Sequence, residues 1–292
     1  MQRTPPSICE ERVAAVDYAR LVDYHMHHER CGHAVAPMEA YVRAALRIGL
    51  GEMGFSDHLF QYWLPPDQRD PELGMREEEL DAYVAEARAL QRQYPQLRLR
   101  LALEVDYIPG REAELARILA RYPWDYLLGS VHFLGNWGFD DARYLAEYAR
   151  RDINAIYEEY YDLVGRAAET GLFDVMAHLD LPKKFGHRPT RDLSGIQRAV
   201  VRRLARAGVA VEVNTAGLRK PVGELYPALD LLTLCREAGV PATLSSDAHR
   251  PEEVGADFDR ALEHLARAGY REYAAFTQRR LERRPLPLPT TM

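Results

Sequence analysis

Cysteine is scarce in this chain. There are three in 292 residues, Cys9, Cys31 and Cys235, odd in number and far apart. With no Cys-x-x-Cys pair, neither a zinc ribbon nor a disulfide framework is readable, and a reducing compartment is the simplest reading. Long apolar runs are missing as well. No stretch approaches the ~20 residues of a membrane-spanning helix. The segment from Met1 to Glu11 carries Arg3, Pro5 and Pro6 and acidic residues rather than the apolar run of a secretory signal. A cytoplasmic location is therefore expected. Excess positive charge is also absent: Lys and Arg number 38 against 44 Asp and Glu, a net charge of −6. No basic stripe interleaved with aromatics exists, which weighs against nucleic-acid and anionic-membrane partners. An acidic chain can still bind a phosphate where bound cations reverse the local field.

What is present is 47% hydrophobic residues, enough for a sizeable core, arranged as short apolar runs alternating with longer helical segments. Strands are expected at Leu21–Met26, Gly51–Ser56, Leu97–Val105, Tyr126–Val131, Phe173–Ala177, Val209–Val213 and Ala242–Ser245. Helices are expected at Met38–Ile48, Glu77–Tyr94, Glu112–Arg121, Tyr144–Thr170 (with a break), Ser194–Ala207, Leu225–Ala238 and Ala256–Ala268. Strand–helix units in series imply parallel strands with helical crossovers. No repeat, low-complexity segment or linker divides the chain. Residues 1–292 read as one domain, with an N-terminal extension over 1–20 and a loose tail over 279–292.

The chain has ten histidines, and all but His187 and His264 fall at the end of an expected strand or in the turn after it. His25 and His27 are two residues apart, so in a strand they point the same way. His28 should face away as a bystander. His33 lies in the next loop. Asp57-His58 ends the second strand, where Asp57 reads either as a helix cap or as a group orienting His58. Glu104 sits inside an apolar run, where a carboxylate is costly unless paired or bound to a cation; Asp106 competes with it. His132 and His178 each close a strand, and Asp247-Ala248-His249 again offers two donors at i, i+2. Each alone is more often a hydrogen-bonded core or surface residue. Together they describe one pocket lined from many strands, and imidazoles mixed with carboxylates are the donors of metal sites. An open sheet would hold the outermost ends too far apart, so the expected fold is α/β, a distorted (β/α)7 TIM-like barrel. His187 and His264 are expected at the surface.

The motifs Asp23-Tyr24-His25-Met26-His27, Phe55-Ser56-Asp57-His58, Glu104-Val105-Asp106, Gly129-Ser130-Val131-His132, His178-Leu179-Asp180-Leu181, Glu212-Val213-Asn214 and Ser246-Asp247-Ala248-His249 occur in that order. In this the chain resembles the PHP (polymerase and histidinol phosphatase) superfamily from about Asp23 to Gly255, and within it the monofunctional histidinol-phosphatases. The resemblance implies three divalent ions, of Mn, Fe, Zn or Co. One would take His25, His27, Glu104 and Asp247, a second Glu104, His132 and His178, and a third His33, His58 and His249. No family ligand position is missing; Leu59-Phe60 stand where a proline is usual nearby.

That resemblance further implies hydrolysis of L-histidinol phosphate, a small phosphorylated substrate, by a metal-activated hydroxide. Glu104 would bridge two ions. Arg219 and Lys184 would neutralise the phosphoryl group, with Lys183 left as surface charge. Asp247, or less readily His249, would protonate the leaving alkoxide. Trp137 and Phe139, with Phe133 and Asp140, would hold the imidazole and ammonium. Two alternatives stay open: a phosphoesterase acting on another small monoester or nucleotide, and a non-catalytic metal-binding regulatory domain.

Overall fold

The structure, a computed structural model, describes residues 16–287. Strands β1 (Val22–Asp23), β2 (Glu52–Phe55), β3 (Arg98–Asp106) and β4 (Tyr126–Ser130) are followed by a small hairpin, β5 (Phe133–Leu134) and β6 (Trp137–Gly138). Then come β7 (Val175–Met176), β8 (Ala210–Asn214) and β9 (Ala242–Ser245), and a C-terminal hairpin, β10 (Glu272–Thr277) and β11 (Arg280–Pro285). The seven main strands are all parallel, in the order β1-β2-β3-β4-β7-β8-β9. Beyond the ends of the ladder the Tyr24 amide donates to Leu244 O at 3.2 Å, and Met26 bridges Ala248 in parallel. The sheet thus curls into a nearly closed barrel whose carboxyl ends share one mouth.

The helices are α1 (Met38–Ile48), α2 (Leu80–Gln93), α3 (Glu112–Leu119), α4 (Ile153–Glu169), α5 (Ser194–Ala207), α6 (Leu229–Glu237) and α7 (Phe258–Arg267). Their apolar stripes cover the outside of the barrel. In α2 the buried residues are Leu80, Tyr83, Val84, Ala87 and Leu90, the spacing of one helix face. Pro37 precedes α1, and Gly49, at φ 72°, ends it in the left-handed region that glycine tolerates best. Gly54 answers to packing instead: a Cβ there would lie 1.8 Å from the Tyr126 hydroxyl, which donates to Tyr24 O at 2.6 Å.

Four expectations need correction. Residues 280–285 of the expected loose tail form β11, paired residue for residue with β10 from Thr277–Arg280 to Glu272–Pro285, and residues 288–292 lie outside the described residues. The helix expected from Leu225 starts at Leu229, because Leu225–Ala228 includes Pro227 and Tyr226 bonds back to Asn214. Lys183 is buried, its ammonium 2.7 Å from both the Asp180 carboxylate and Leu225 O. His187 and His264 are half-buried: the first stacks on Tyr148 at 4.0 Å, and the second places Nε2 2.9 Å from Pro227 O. The break within Tyr144–Thr170 is present, a 3-10 segment at Ala142–Arg150 giving way to α4. Residues 1–15 of the expected extension, with Cys9, lie outside the described residues.

Opposite the mouth, the barrel is stoppered. Glu52 is fully buried at the start of β2. It accepts from the Tyr24 hydroxyl at 2.6 Å, from Nε of Arg98 at 3.0 Å and of Arg100 at 2.6 Å, and from Nη1 of Arg284 on β11 at 2.7 Å. The Phe276 amide of β10 donates to the same Tyr24 hydroxyl at 3.0 Å.

Candidate metal centre

Each strand end delivers its donors to the mouth. Glu104, at the end of β3, is the meeting point. Its Oε2 lies 3.1 Å from His25 Nε2, 3.4 Å from His27 Nε2 and 2.9 Å from His58 Nδ1. Its Oε1 lies 3.0 Å from His178 Nε2 and 3.5 Å from His132 Nε2, and accepts from Ser130 Oγ at 2.5 Å. Asp247 places Oδ1 3.3 Å from His27 Nε2 and 3.8 Å from His25 Nε2. The His249 ring stacks 4.3 Å from His27 and 4.8 Å from His33, and His33 lies 5.2 Å from His58. All nine residues expected as ligands come together. Three overlapping groups, His25/His27/Asp247, His27/His58/His249 and His58/Glu104/His132, each hold their donor atoms within 4.8 Å of one another.

The donor atoms fit cations better than they fit each other. His25 Nε2, His27 Nε2 and Glu104 Oε2 are buried without a hydrogen-bond partner, since the short contacts among them are misaligned. Buried polar atoms are rarely left so, and a divalent ion among them would satisfy all three. In five of the histidines the other ring nitrogen is tied back. His25 Nδ1 lies 3.0 Å from Glu212, His27 Nδ1 3.4 Å from Asp57 and His132 Nδ1 2.9 Å from Asp106. His33 Nδ1 lies 2.7 Å from Glu72 O and His249 Nδ1 3.0 Å from Asp247 O. Fixing one nitrogen as N–H leaves the other lone pair facing the cage, the arrangement that supports a metal-ligating histidine. His178 and Asp247 hold left-handed backbone, at φ 25° and 51°, a strain that functional sites often carry.

Glu212 is the functional residue that went unassigned. Buried between Val211 and Val213, it also accepts from Ser245 Oγ at 2.6 Å and from the His178 amide at 2.7 Å. Its signal was the one that exposed Glu104: a carboxylate inside an apolar strand. Asp106 braces His132 rather than competing with Glu104. Asp57 takes the His58 backbone amide at 3.1 Å but turns its carboxylate to the rings of His27 and His28, so it does not orient the His58 ring. His28 is buried, and no bystander.

Without ions the cage is a network of opposed charges. Burial alone would lower the His25 and His132 pKa values. Glu212 and Glu104 hold His25 well above the ordinary range instead, and Asp106, Asp140 and Glu104 push His132 up to about 10. Burial would raise Glu104 and Asp247, but the surrounding histidines hold both well below, His58 and His25 foremost at Glu104 and His25, His27 and His249 at Asp247. Burial together with His58 and His27 brings His33 down to about 4.

A cavity of about 580 Å³ opens above the cage, walled by Phe133, Asp140, Lys184, Arg219 and Glu253 among others. Lys184 Nζ donates to Asp140 at 3.1 Å and to its carbonyl at 2.7 Å. Burial opposes it, but Lys184 and His132 bring the Asp140 carboxyl down to about 2. Arg219 Nη2 donates to Ser246 O at 2.6 Å, while Nη1 is buried without a hydrogen bond. Trp137 and Phe139 are not on the cavity wall. Both are buried behind it, edge-on to Tyr148 and Tyr160 respectively, and the aromatics Phe133 and Tyr226 line the space instead.

A nearly closed parallel barrel with imidazole and carboxylate donors converging at its mouth is a metal-binding α/β barrel. The chain belongs to the PHP domain family, whose model matches residues 23–216. A relative from Deinococcus radiodurans, named "Probable histidinol-phosphatase", is 43% identical over 263 residues, 90% of this chain and 98% of that one. The histidinol-phosphatase of Bacillus subtilis is 29% identical over 269 residues, 82% of this chain and 98% of its own. In fold, the chain matches the histidinol phosphate phosphatase of Lactococcus lactis, solved with zinc, L-histidinol and phosphate. The TM-score is 0.77 at 22% identity, over 90% of this chain and 99% of that one. Among the described residues no helix is long and apolar enough to cross a membrane.

Proposed function

We propose that the chain hydrolyses L-histidinol phosphate to L-histidinol and phosphate at a centre of three divalent cations. The carrying observation is Glu104, with its two oxygens among five imidazoles and two cationic side chains, Lys184 and Arg219, on the wall of the same cavity. The names of the relatives support the substrate. His25, His27, Glu104 and Asp247 would hold one ion, Glu104, His132 and His178 a second, and His33, His58 and His249 a third; His58 is within reach of both latter positions. Mixed imidazole and carboxylate donors suit zinc, manganese, iron or cobalt. Such ions supply a water acidified into the neutral range and positive charge against the phosphoryl oxygens.

The protein's own groups do the rest. Glu212, Asp57 and Asp106 keep the ligand imidazoles turned inward. Asp140, held as an anion, positions the Lys184 ammonium at the cavity wall, where it meets phosphate as a point charge. Arg219, loosely paired through Nε with Glu253 at 3.5 Å and through Nη1 with Asp257 at 3.9 Å, can turn its guanidinium to phosphate as a planar fork. Asp140 is thus engaged by Lys184 rather than free for the substrate ammonium. Phe133, with Glu72 and Asp141 on the outer wall, suits the cationic histidinol half better. Asp247 has one oxygen facing His27 and the other accepting from Asn214 at 3.2 Å. Held as a fixed anion, it suits ligation and not proton donation. A small substrate, no nucleic acid and a cytoplasmic setting complete the reading.

The test is phosphate release by the purified, metal-reconstituted protein from L-histidinol phosphate, beside a panel of nucleotides and sugar phosphates, with His132→Ala as control. Preference for L-histidinol phosphate, lost in the control, is expected. Equal rates across the panel would move the reading to a general phosphoesterase, and metal binding without turnover to a regulatory domain.

A further inference from the structure

The run His27-His28 places two adjacent imidazoles just beyond a strand, so they face opposite sides of the barrel wall. His27 looks into the cage. His28 looks outward under α2, buried, its ring 5.5 Å from that of Tyr83. Between them lies the fully buried Asp57, one oxygen 3.4 Å from His27 Nδ1 and the other in contact with His28 Nδ1. The far nitrogen of His28, Nε2, is 2.9 Å from Arg30 Nη1, and Arg30 Nη2 in turn lies 2.6 Å from Glu86 on α2.

Every link has one possible direction. A guanidinium only donates, so His28 Nε2 accepts and its Nδ1 carries the proton. That N–H faces the Asp57 carboxylate, an ion-pair contact rather than an aligned hydrogen bond, and Asp57, held as an anion by His28 and His27 against its burial, has no proton of its own to give. His27 must then also present Nδ1–H to Asp57, leaving the Nε2 lone pair toward Glu104 and Asp247. We propose that His28 and Arg30 are positioning residues, forming with Asp57 a chain that runs from the surface helix to the metal-facing lone pair of His27 and holds that nitrogen ready for a divalent cation.

The inference rests on the reading of His27 as a metal ligand, and the test separates the two. Zn²⁺ affinity and ions per chain are measured by chelator competition on the purified full chain, for the parent, His27→Ala, His28→Phe, His28→Gln and Arg30→Met. Removal of a group bracing a ligand typically weakens metal binding by about 10–100-fold. His28→Phe fills the space but removes both the Arg30 hydrogen bond and the Asp57 ion-pair contact, and is expected to lose that much for one ion. His28→Gln can accept from Arg30 and donate to Asp57, and is expected to restore most of it. Arg30→Met, altered at a partly exposed site, should lose affinity in the same direction by a smaller factor, and it decides the matter if His28→Phe does not fold. Unchanged affinity in Arg30→Met, or equal losses in His28→Phe and His28→Gln, would overturn the chain. Unchanged affinity in His27→Ala would instead overturn the metal reading on which it stands.

Discussion

At the residue scale, the cage acts through charges that change when ions enter. Lys184 has one carboxylate partner and an otherwise open side toward the cavity. A charge-assisted hydrogen bond contributes about 1.5–3 kcal/mol, so Lys184→Ala should raise KM for the phosphate substrate by roughly 10–100-fold, with metal content unchanged. Steady-state kinetics and metal analysis check both halves. A pH effect follows from His132. Its folded pKa, up near 10, exceeds the unfolded value of 6.5. Its contribution to the stability of metal-stripped protein is therefore complete below pH 6.5 and disappears as pH rises toward 10. His25 is raised too and acts in the same sense, while His33 and His249, both lowered, act below pH 6.5. Thermal unfolding of chelator-treated protein should show Tm falling between pH 7 and 10, with a shallower slope in His132→Gln. The metal-facing histidines were readable because donors two apart at a strand end share a face. Which ring each carboxylate braces was not, since Glu212, Asp106 and Asp57 each reach across to a histidine from a different strand.

At the scale of elements, all seven barrel strands were legible, because buried parallel strands are short apolar runs bounded by turns. Their lengths were overestimated where the chain leaves the ladder early, as at β1 and β7. The C-terminal hairpin was not legible. The outer strand, Arg280–Pro285, contains Leu281 as its one aliphatic residue before the proline and is mostly exposed. It is held by pairing and by Arg284 reaching Glu52, neither of which leaves a periodic trace. Glu52 shows what that clasp is worth. Removing one partner of a buried ion pair typically costs about 3–5 kcal/mol. Glu52→Ala, which takes the buried partner from Arg100 and Arg284 and leaves the exposed Arg98 to solvent, should lower the unfolding free energy measured in urea by that order while the ions bound per chain stay the same. A loss of metal together with stability would mean that the two ends of the barrel are coupled.

At the scale of the whole molecule, binding and folding are linked, because the cage draws on six of the seven strands or the turns after them. Ions that bind the native state alone stabilise it by mass action, by about 4 kcal/mol for each at a free concentration a thousandfold above its Kd. For a chain of this size each kcal/mol moves Tm by roughly 2–4 °C. Chelation should therefore lower Tm by tens of degrees if all three ions are tight, and re-addition should restore it; calorimetry with and without chelator gives the answer. The stopper at the far end has a practical corollary. Substrate enters where the strands finish, whereas the charged outer strand of the terminal hairpin sits where they start. A dye, a resin or a fusion tethered along that strand would stand behind the catalytic face, leaving traffic through the entrance unobstructed.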